Sequence, residues 1–533
     1  MIPSLEIIQN YHNRTKHTLQ RYAKGPETID WEDQPDPFRR FSGCQQVMFP
    51  PPGKQLASPL FVNLDQPETI PTQALDLTSI GLLLELAFGL SAWKQFGDNR
   101  WALRCNPSSG NLHPTEAYLL ITGCDVIKSG VYHYQSHDHL LEQRAEFKVQ
   151  PTENELLIGL SSVHWREAWK YGERAFRYCQ HDTGHALAAL RYAAAVLGWS
   201  LELMADCSDS DIAQLLGLNR TADFKPNERE YPDIVCRIKI NQSQPHNPLS
   251  IDDLLALVQS ADWSGTANSL RAYHLYHWSV IDEVTQAAEK PRTQEPRQQS
   301  ERQQPLASTC LVPASTLIRQ RRSAQQFDGK MSPLSQVHFY RILSAVLPST
   351  AAFSCWQWQA KIHLFIFVHR VKGLTPGLYA LLRDETRLEK IQQATSKQFH
   401  WQKQTDDLPF YSLYPSDFRL IAKTLSCHQP IASDSAFSLA MVAEFSETIA
   451  SEPWQYRRLF WETGFIGQIL YLEAEAAGVR GTGIGCYFDD SVHELLGIEN
   501  NQLQSLYHFT VGKPLEDKRL QTFPPYQHLS AIE

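Results

Sequence analysis

The chain has 533 residues, 42% of them hydrophobic and 20% charged. That balance belongs to a folded globular protein and excludes a disordered, collagen-like or coiled-coil chain. Lys and Arg total 49 against 58 Asp and Glu, a net charge of -9, so no basic domain is expected and a nucleic-acid partner is excluded from the expectations. At ~150 residues per domain the length allows two large units or three to four smaller ones.

At the N-terminus, the spacing of Ile2, Leu5, Ile8 and Tyr11 predicts an amphipathic helix. A basic start, an apolar run and a small-residue cleavage site are all missing there, so no signal peptide is expected. The densest apolar stretch, Ile80 to Leu90, is broken by Glu85. It falls short of the ~20 apolar residues of a membrane span, and no membrane segment is expected. The ten cysteines form no CxxC pair and no Cys/His cluster of zinc spacing. They imply free thiols in a reducing, cytoplasmic setting and no metal site. Cys486 reads as a small buried hydrophobe.

The segment from Arg104 to Leu120 contains Pro107-Ser108-Ser109-Gly110-Asn111. This is a tight polar loop, offering short hydrogen-bonding side chains and a close backbone approach. By itself it is only a loop. Further on, Trp165 to Leu190 carries Lys170 and Tyr171 among aromatic residues, just before a long apolar helix. A Lys desolvated by aromatics can act as a base, and Tyr can donate or relay a proton. A lone Lys-Tyr pair more often reads as a surface Lys and a core Tyr.

From Thr285 to Thr309 the chain is rich in Gln, Glu, Arg and Pro. Such a segment buries too little surface to offset its ordering entropy. It predicts a flexible linker (285–310) between an N-terminal domain (1–284) and a C-terminal domain (311–533).

The second domain opens with Arg321-Arg322-Ser323 after a short helix. Guanidinium forks with a hydroxyl suit phosphate oxygens, although an isolated RRS is also an ordinary solvated turn. Gly481 to Cys486 reads GTGIGC. Here a helix precedes the glycines and a strand-like CYF follows, the reverse of a dinucleotide fingerprint, so that reading is rejected. Lys518 and Arg519, near the C-terminus, offer cations to an anion or simply a charged surface.

The two halves resemble each other. One gapless offset aligns Gly184 with Gly464, Gly198 with Gly478, Asp209 with Asp489, and Leu215-Leu216-Gly217 with Leu495-Leu496-Gly497. Each copy predicts a long helix ending at a glycine, a strand, then a short helix opening with a capping-box-like Asp211-x-x-Gln214 or Ser491-x-x-Glu494. A second match pairs Gly130–Tyr134 with Gly377–Leu381, each after an aliphatic strand candidate. The pattern predicts a duplicated α+β unit, and a self-complementary interface between copies would make an intramolecular pseudo-dimer.

Five segments together, RRSAQQF, NPSSGNLHPTEAYL, WKYGERAFRY, GTGIGC and VGKPLEDKRL, resemble the nitroreductase-type flavoproteins. The closest resemblance is to the SagB/ThcOx dehydrogenases, which oxidise azolines to azoles in ribosomal peptides. The resemblance implies two fused nitroreductase-like units, each a mixed or antiparallel sheet flanked by helices, with FMN between them. Arg321, Arg322 and Ser323 would hold phosphate and ribityl oxygens, and Gln325 stands where the family often has a second cation. Arg519 and Lys518 would lie near the phosphate. Gly483, Ile484 and Gly485 would face the isoalloxazine, with Pro107, Ser108, Ser109 and Asn111 reaching across. Lys170 would be base or electrostatic partner and Tyr171 proton relay.

The second copies of these motifs have degenerated. PSTAAFSC stands in place of the PSSGN loop, and Leu201 to Ala205 in place of the glycines, so one flavin site per chain is expected. The implied activity is a dehydrogenase acting on a heterocyclic or peptide-derived substrate. The alternatives are an NAD(P)H-dependent nitro- or quinone reductase and a non-catalytic flavin- or peptide-binding accessory protein. A peptide-modifying partner enzyme and a monomeric pseudo-dimer complete the expectations.

Overall fold

In a computed structural model, residues 2–51, 57–240, 248–294, 302–330 and 334–529 are described. Two antiparallel sheets dominate. In the first, the central strands run Leu140–Glu146, Gly130–Gln135, Thr115–Thr122, Glu155–Ser162, Tyr231–Lys239, Ser200–Leu203. In the second they run Phe410–Pro415, Gly377–Leu381, Ile362–Val368, Phe437–Glu444, Leu503–Gly512, Arg480–Ile484. The two orders correspond strand for strand. Most of these strands are buried along their whole length, because helices cover their faces, and so they read as continuous apolar runs.

Two helices of 22 residues each, Ala175–Val196 and Gln455–Ala476, cross between the sheets. Both are buried on every side over almost their whole length, and their charged residues therefore need partners within the fold. They touch backbone to backbone. A Cβ at Gly184 would stand 2.1 Å from the Trp461 carbonyl oxygen, and one at Gly464 would stand 2.0 Å from that of His181. Only glycine permits this approach. Each helix ends just before a left-handed glycine, Gly198 or Gly478.

The short helices that follow, Asp209–Leu216 and Asp489–Leu496, start two residues before the sequence signals. The first is capped by a Ser208/Asp211 box, whereas Phe488 gives the second no side-chain cap. The Asp489 carboxylate instead accepts from the His17 N–H at 3.0 Å and meets Arg174 and Arg177. The glycine run also differs from expectation. The strand is Arg480–Ile484 itself, and Cys486 to Phe488 lie beyond it.

The chain ends are exchanged between halves. The N-terminal helix Ser4–Arg14 sets His12 beside Tyr456 and Gln504 of the second half. The C-terminal strand Gln521–Phe523 pairs with Leu90–Phe96 of the first half, in a small sheet completed by Asn99–Arg104. Glu85, the charge inside the apolar helix Leu77–Phe88, pairs with Arg319 at 2.8 Å.

The middle of the expected linker, 295–301, lies outside the described residues. Its start is ordered rather than flexible. The helix Ser279–Ala287 runs through Thr285, and Lys290 is buried with Nζ donating to the Cys207 carbonyl at 2.9 Å. An amphipathic turn with Val284 and Ala287 facing the core outweighs the polar composition there.

Candidate active-site cleft

Two adjoining chambers lie between the halves and share Pro107, Ser108 and Ser323. Their cavity volumes are about 270 and 290 Å³. The first carries Lys94, Arg322 and Arg480 on its wall together with Gln325, Asn111 and two carboxylates, Glu516, which pairs with Arg480, and Asp517. The second is lined by Ser109, Gly110, Tyr171, Asp182 and the Gly483–Gly485 backbone. The sequence-predicted loop, RRS turn, glycine strand and Tyr171 therefore converge, with the first two drawn from different halves.

The arginines divide their work. Arg321 is buried and gives Nε to the Cys105 carbonyl at 3.1 Å and Nη2 to that of Arg104 at 3.0 Å, with its guanidinium over the Tyr471 ring. It ties down the strand leading into the Pro107 loop. Arg322 is less buried and donates to the Arg319, Arg321 and Ser91 carbonyls. Burial, then the Arg321 charge, lowers its pKa to about 10. Lys94 is also lowered, by burial and then by Arg322. Crowded, partly desolvated cations of this kind favour an anion between them.

Lys518 and Arg519 do not join this group. Both are exposed; Arg519, with 74% of its side chain accessible, is paired with Asp517 at 2.7 Å. Pairing of the C-terminal strand with Leu90–Phe96 places Lys94 opposite Thr522, and Arg480 enters from the glycine strand. Nothing in the local sequence of Lys94 signals this, because its place depends on a pairing between chain positions far apart.

Ser323 shares a hydrogen bond with Tyr471 Oη at 2.9 Å, and that oxygen accepts from the Gly483 N–H at 2.9 Å. The Gly485 carbonyl accepts from Tyr178 and Arg174. A Cβ at Gly483 would stand 1.9 Å from Tyr507 Oη, and one at Gly485 would stand 2.1 Å from Tyr178. The glycines thus let the strand lie directly on tyrosines. Ile484 points to the core.

The Pro107 loop is fixed from below. Asp182, on the long helix, accepts from Ser109 N–H and Oγ, each at 3.1 Å. Burial lifts Asp182 to about 7 against these hydrogen bonds. Ser108 Oγ accepts from the His113 N–H, and Asn111 Nδ2 donates to the Ala102 carbonyl. Asp182 was missed by the sequence reasoning, although a carboxylate inside an apolar helix is itself a signal.

Lys170 and Tyr171 occupy the last turn of the helix His164–Tyr171, which Gly172 ends at φ +54. Both tips adjoin Gly110, whose Cβ would stand 2.5 Å from Tyr171 Oη and 3.1 Å from Lys170 Nζ. Lys170 Nζ lies 5.3 Å from the Trp31 ring centroid. Burial lowers the Lys170 pKa and raises that of Tyr171. Behind them Glu167 is fully buried, and neither of its carboxylate oxygens has a hydrogen-bond partner among the described residues. Burial, then Asp182, raises its pKa well above the usual range.

The corresponding place on the other side is filled. At the offset positions of Asp182 and of His185, which also lines the second chamber, stand Glu462, bonded to Arg383, and Phe465, packed on Phe353 and Trp356. Trp358 lies against Trp454 and Trp461, and Gln357 Nε2 donates to the Leu203 carbonyl at 2.6 Å. Indoles and phenyl rings replace the cleft.

Residues 318–513 match the Nitroreductase family model. The chain is similar along 96% of its length to 99% of a putative nitroreductase from Anabaena variabilis ATCC 29413, with 22% identity and a TM-score of 0.68. The two therefore share a fold. Smaller similarities are to a putative nitroreductase from Ralstonia eutropha JMP134 (14% identity, 42% of this chain and 99% of that one, TM-score 0.28). Another is to the E. coli microcin synthetase McbBCD complex with truncated pro-MccB17 bound (17%, 45% and 94%, TM-score 0.27). No curated protein matches. Among the described residues, no helix is long and apolar enough to cross a membrane.

Proposed function

We propose that the chain is an FMN-dependent oxidoreductase built as a tandem-duplicated pseudo-dimer with one flavin site, and that it dehydrogenates a heterocyclic or peptide-derived substrate. The observation that carries this reading is the two-chambered cleft, basic at one end and flanked by Lys170 and Tyr171 at the other. FMN has the matching polarity, a phosphate at one end and a planar ring at the other. The residues present fit it. Lys94 and Arg322 crowd one another on one wall, and the buried Asn106 Oδ1 and His113 Nδ1 there have no partner among the described residues. At the ring end, the Gly483–Gly485 backbone and the short side chains of Ser108 and Ser109 line the second chamber.

Arg322, Lys94 and Ser323 would hold the phosphate and ribityl chain, with Arg480 alongside and Gln325 at the rim. Arg321 would act through the loop it fixes. Bound FMN supplies a hydride acceptor to this site. The chain supplies the proton chemistry. Lys170, with a lowered pKa, would take the proton released next to the broken C–H bond. Tyr171, with a raised pKa, stays protonated and would orient or relay. Ser109, anchored on Asp182, keeps the loop and Gly110 against this pair.

The test is a count of flavin released from protein incubated with FMN and desalted. One FMN per chain is expected. Two would mean that the indole-filled side also binds, and none would remove the cofactor. Rapid bleaching of the bound flavin by NAD(P)H would replace the dehydrogenase with the reductase reading.

A further inference from the structure

The glycine strand leads into a thiol pair that neither the fold nor the proposed hydride chemistry uses. Cys486 Sγ lies 2.8 Å from Cys427 Sγ. Both are free thiols, the sulfurs being farther apart than the ~2.04 Å of a bonded pair. Both are partly exposed, and Cys486 lines the second chamber of the cleft. The two come from separate segments. Cys427 is presented by a turn in which it and His428 adopt left-handed backbone, at φ +51 and +59. Non-glycine residues occupy that region at a cost, so the turn holds Cys427 in place against local strain.

The surroundings stabilise one thiolate. The Ala23 N–H donates to His17 Nδ1 at 2.8 Å, which leaves the imidazole proton on Nε2. A backbone bridge from His17 to Phe488 brings that imidazole to the segment that carries Cys486. Arg174 donates to the Gly485 carbonyl next to it and adds a buried positive charge. Asp489 opposes that charge but is committed to Arg174, Arg177 and the His17 N–H. Tyr22, on the exposed side, packs on the rings of His17 and Phe488. Cys486 is lowered mainly by its hydrogen bond with Cys427, and Cys427 is correspondingly raised. An accessible thiolate with a resolving thiol beside it is the arrangement that reacts selectively with peroxides.

We propose that Cys486 and Cys427 form a peroxide-reactive redox site, with Cys486 as the attacking thiolate, Cys427 as the resolving thiol and a hydroperoxide as the oxidant. The Cys486 thiolate attacks one peroxide oxygen. An S–O bond forms, the O–O bond breaks, and the departing oxygen takes a proton and leaves as water or alcohol. Cys427 sulfur then attacks the sulfenic sulfur. The S–S bond forms, the S–O bond breaks, and the oxygen leaves as water with the Cys427 proton. Two thiols are oxidised and one peroxide is reduced. The chemistry requires only the two thiols and the peroxide, so it stands whether or not FMN occupies the cleft.

The test uses the full-length, reduced chain and one equivalent of hydrogen peroxide. Remaining thiols are blocked with N-ethylmaleimide and mapped by peptide mass spectrometry without reduction. Two of the ten thiols should be lost, joined as a Cys427–Cys486 disulfide that dithiothreitol reverses. In Cys427→Ser, dimedone should label Cys486 and the disulfide should be absent. Full alkylation of both residues in the treated wild-type chain would overturn the proposal, as would oxidation spread evenly over all ten. The wild-type map decides the question even if a variant fails to fold.

Discussion

Arg177 donates from Nη1 to the Asp489 carboxylate at 2.9 Å, joining the long helix of the first half to the short helix of the second. At the same sequence offset, and in the opposite sense, Arg457 meets Asp209 at 2.5 Å. The reciprocity has an energetic consequence. Buried pairs contribute little against an apolar substitute, yet removing one partner strands the other at a cost of ~3–5 kcal/mol. Arg177→Ala and Arg457→Ala should each destabilise the fold by about that amount, measured by denaturant unfolding. Unchanged midpoints would mean that the crossing helices alone hold the halves together.

The cationic end separates what the linear motif suggests from what the tertiary fold assembles. Arg322 faces the first chamber, whereas Lys518 and Arg519 are exposed. A hydrogen bond to a charged group contributes ~1.5–3 kcal/mol, so Arg322→Ala should weaken FMN binding by roughly ten- to a hundredfold. Lys518→Ala and Arg519→Ala should leave the Kd unchanged. Fluorescence titration with FMN reads both, and an equal loss in all three would return the phosphate to the C-terminal pair.

Much of the architecture was legible in the sequence, because its causes are local or repeated. The glycines at 184 and 464 mark the helix crossing, those at 198 and 478 mark the helix ends, and apolar runs mark strands covered on both faces. The Pro107 loop, Arg321-Arg322-Ser323 and Lys170-Tyr171 were also readable as polar clusters set against apolar elements. Lys94, Arg480 and Asp182 were not, since each is brought to the cleft by contacts with segments distant in sequence. Cys486 read as a buried hydrophobe for the same reason. Its neighbours Cys427 and His17 come from other segments.

Asp182 makes pH a probe of the loop anchor. Burial lifts it to about 7 in the folded chain, above the ordinary Asp value of ~3.9. Below that ordinary value the carboxyl is protonated in both states and its stabilising contribution is complete. As pH rises toward about 7, the unfolded chain sheds the proton first and the contribution is lost. At about 1.4 kcal/mol per pH unit the loss reaches ~4 kcal/mol. Asp182→Asn should therefore flatten the stability profile between about pH 4 and 7. A wild-type profile matching that of the Asn variant would place a charged Asp182 beneath Ser109.

Lys170 and Tyr171 should separate catalysis from cofactor binding. Their tips adjoin Gly110 rather than the basic chamber, so Lys170→Ala and Tyr171→Phe should retain one FMN per chain. General-base catalysis contributes ~10²–10⁴-fold, and Lys170→Ala should lose turnover of an azoline substrate within that range. Burial lowers the Lys170 pKa, which enlarges its neutral fraction near neutral pH. Wild-type turnover should therefore rise with pH through that lowered value, and the limb should vanish in Lys170→Ala. Tyr171→Phe should lower the plateau and keep the limb, because the raised pKa leaves the hydroxyl protonated across that range. A pH limb that survives in Lys170→Ala would move the base elsewhere in the second chamber, where Asp182 is the nearest candidate with a pKa close to neutrality.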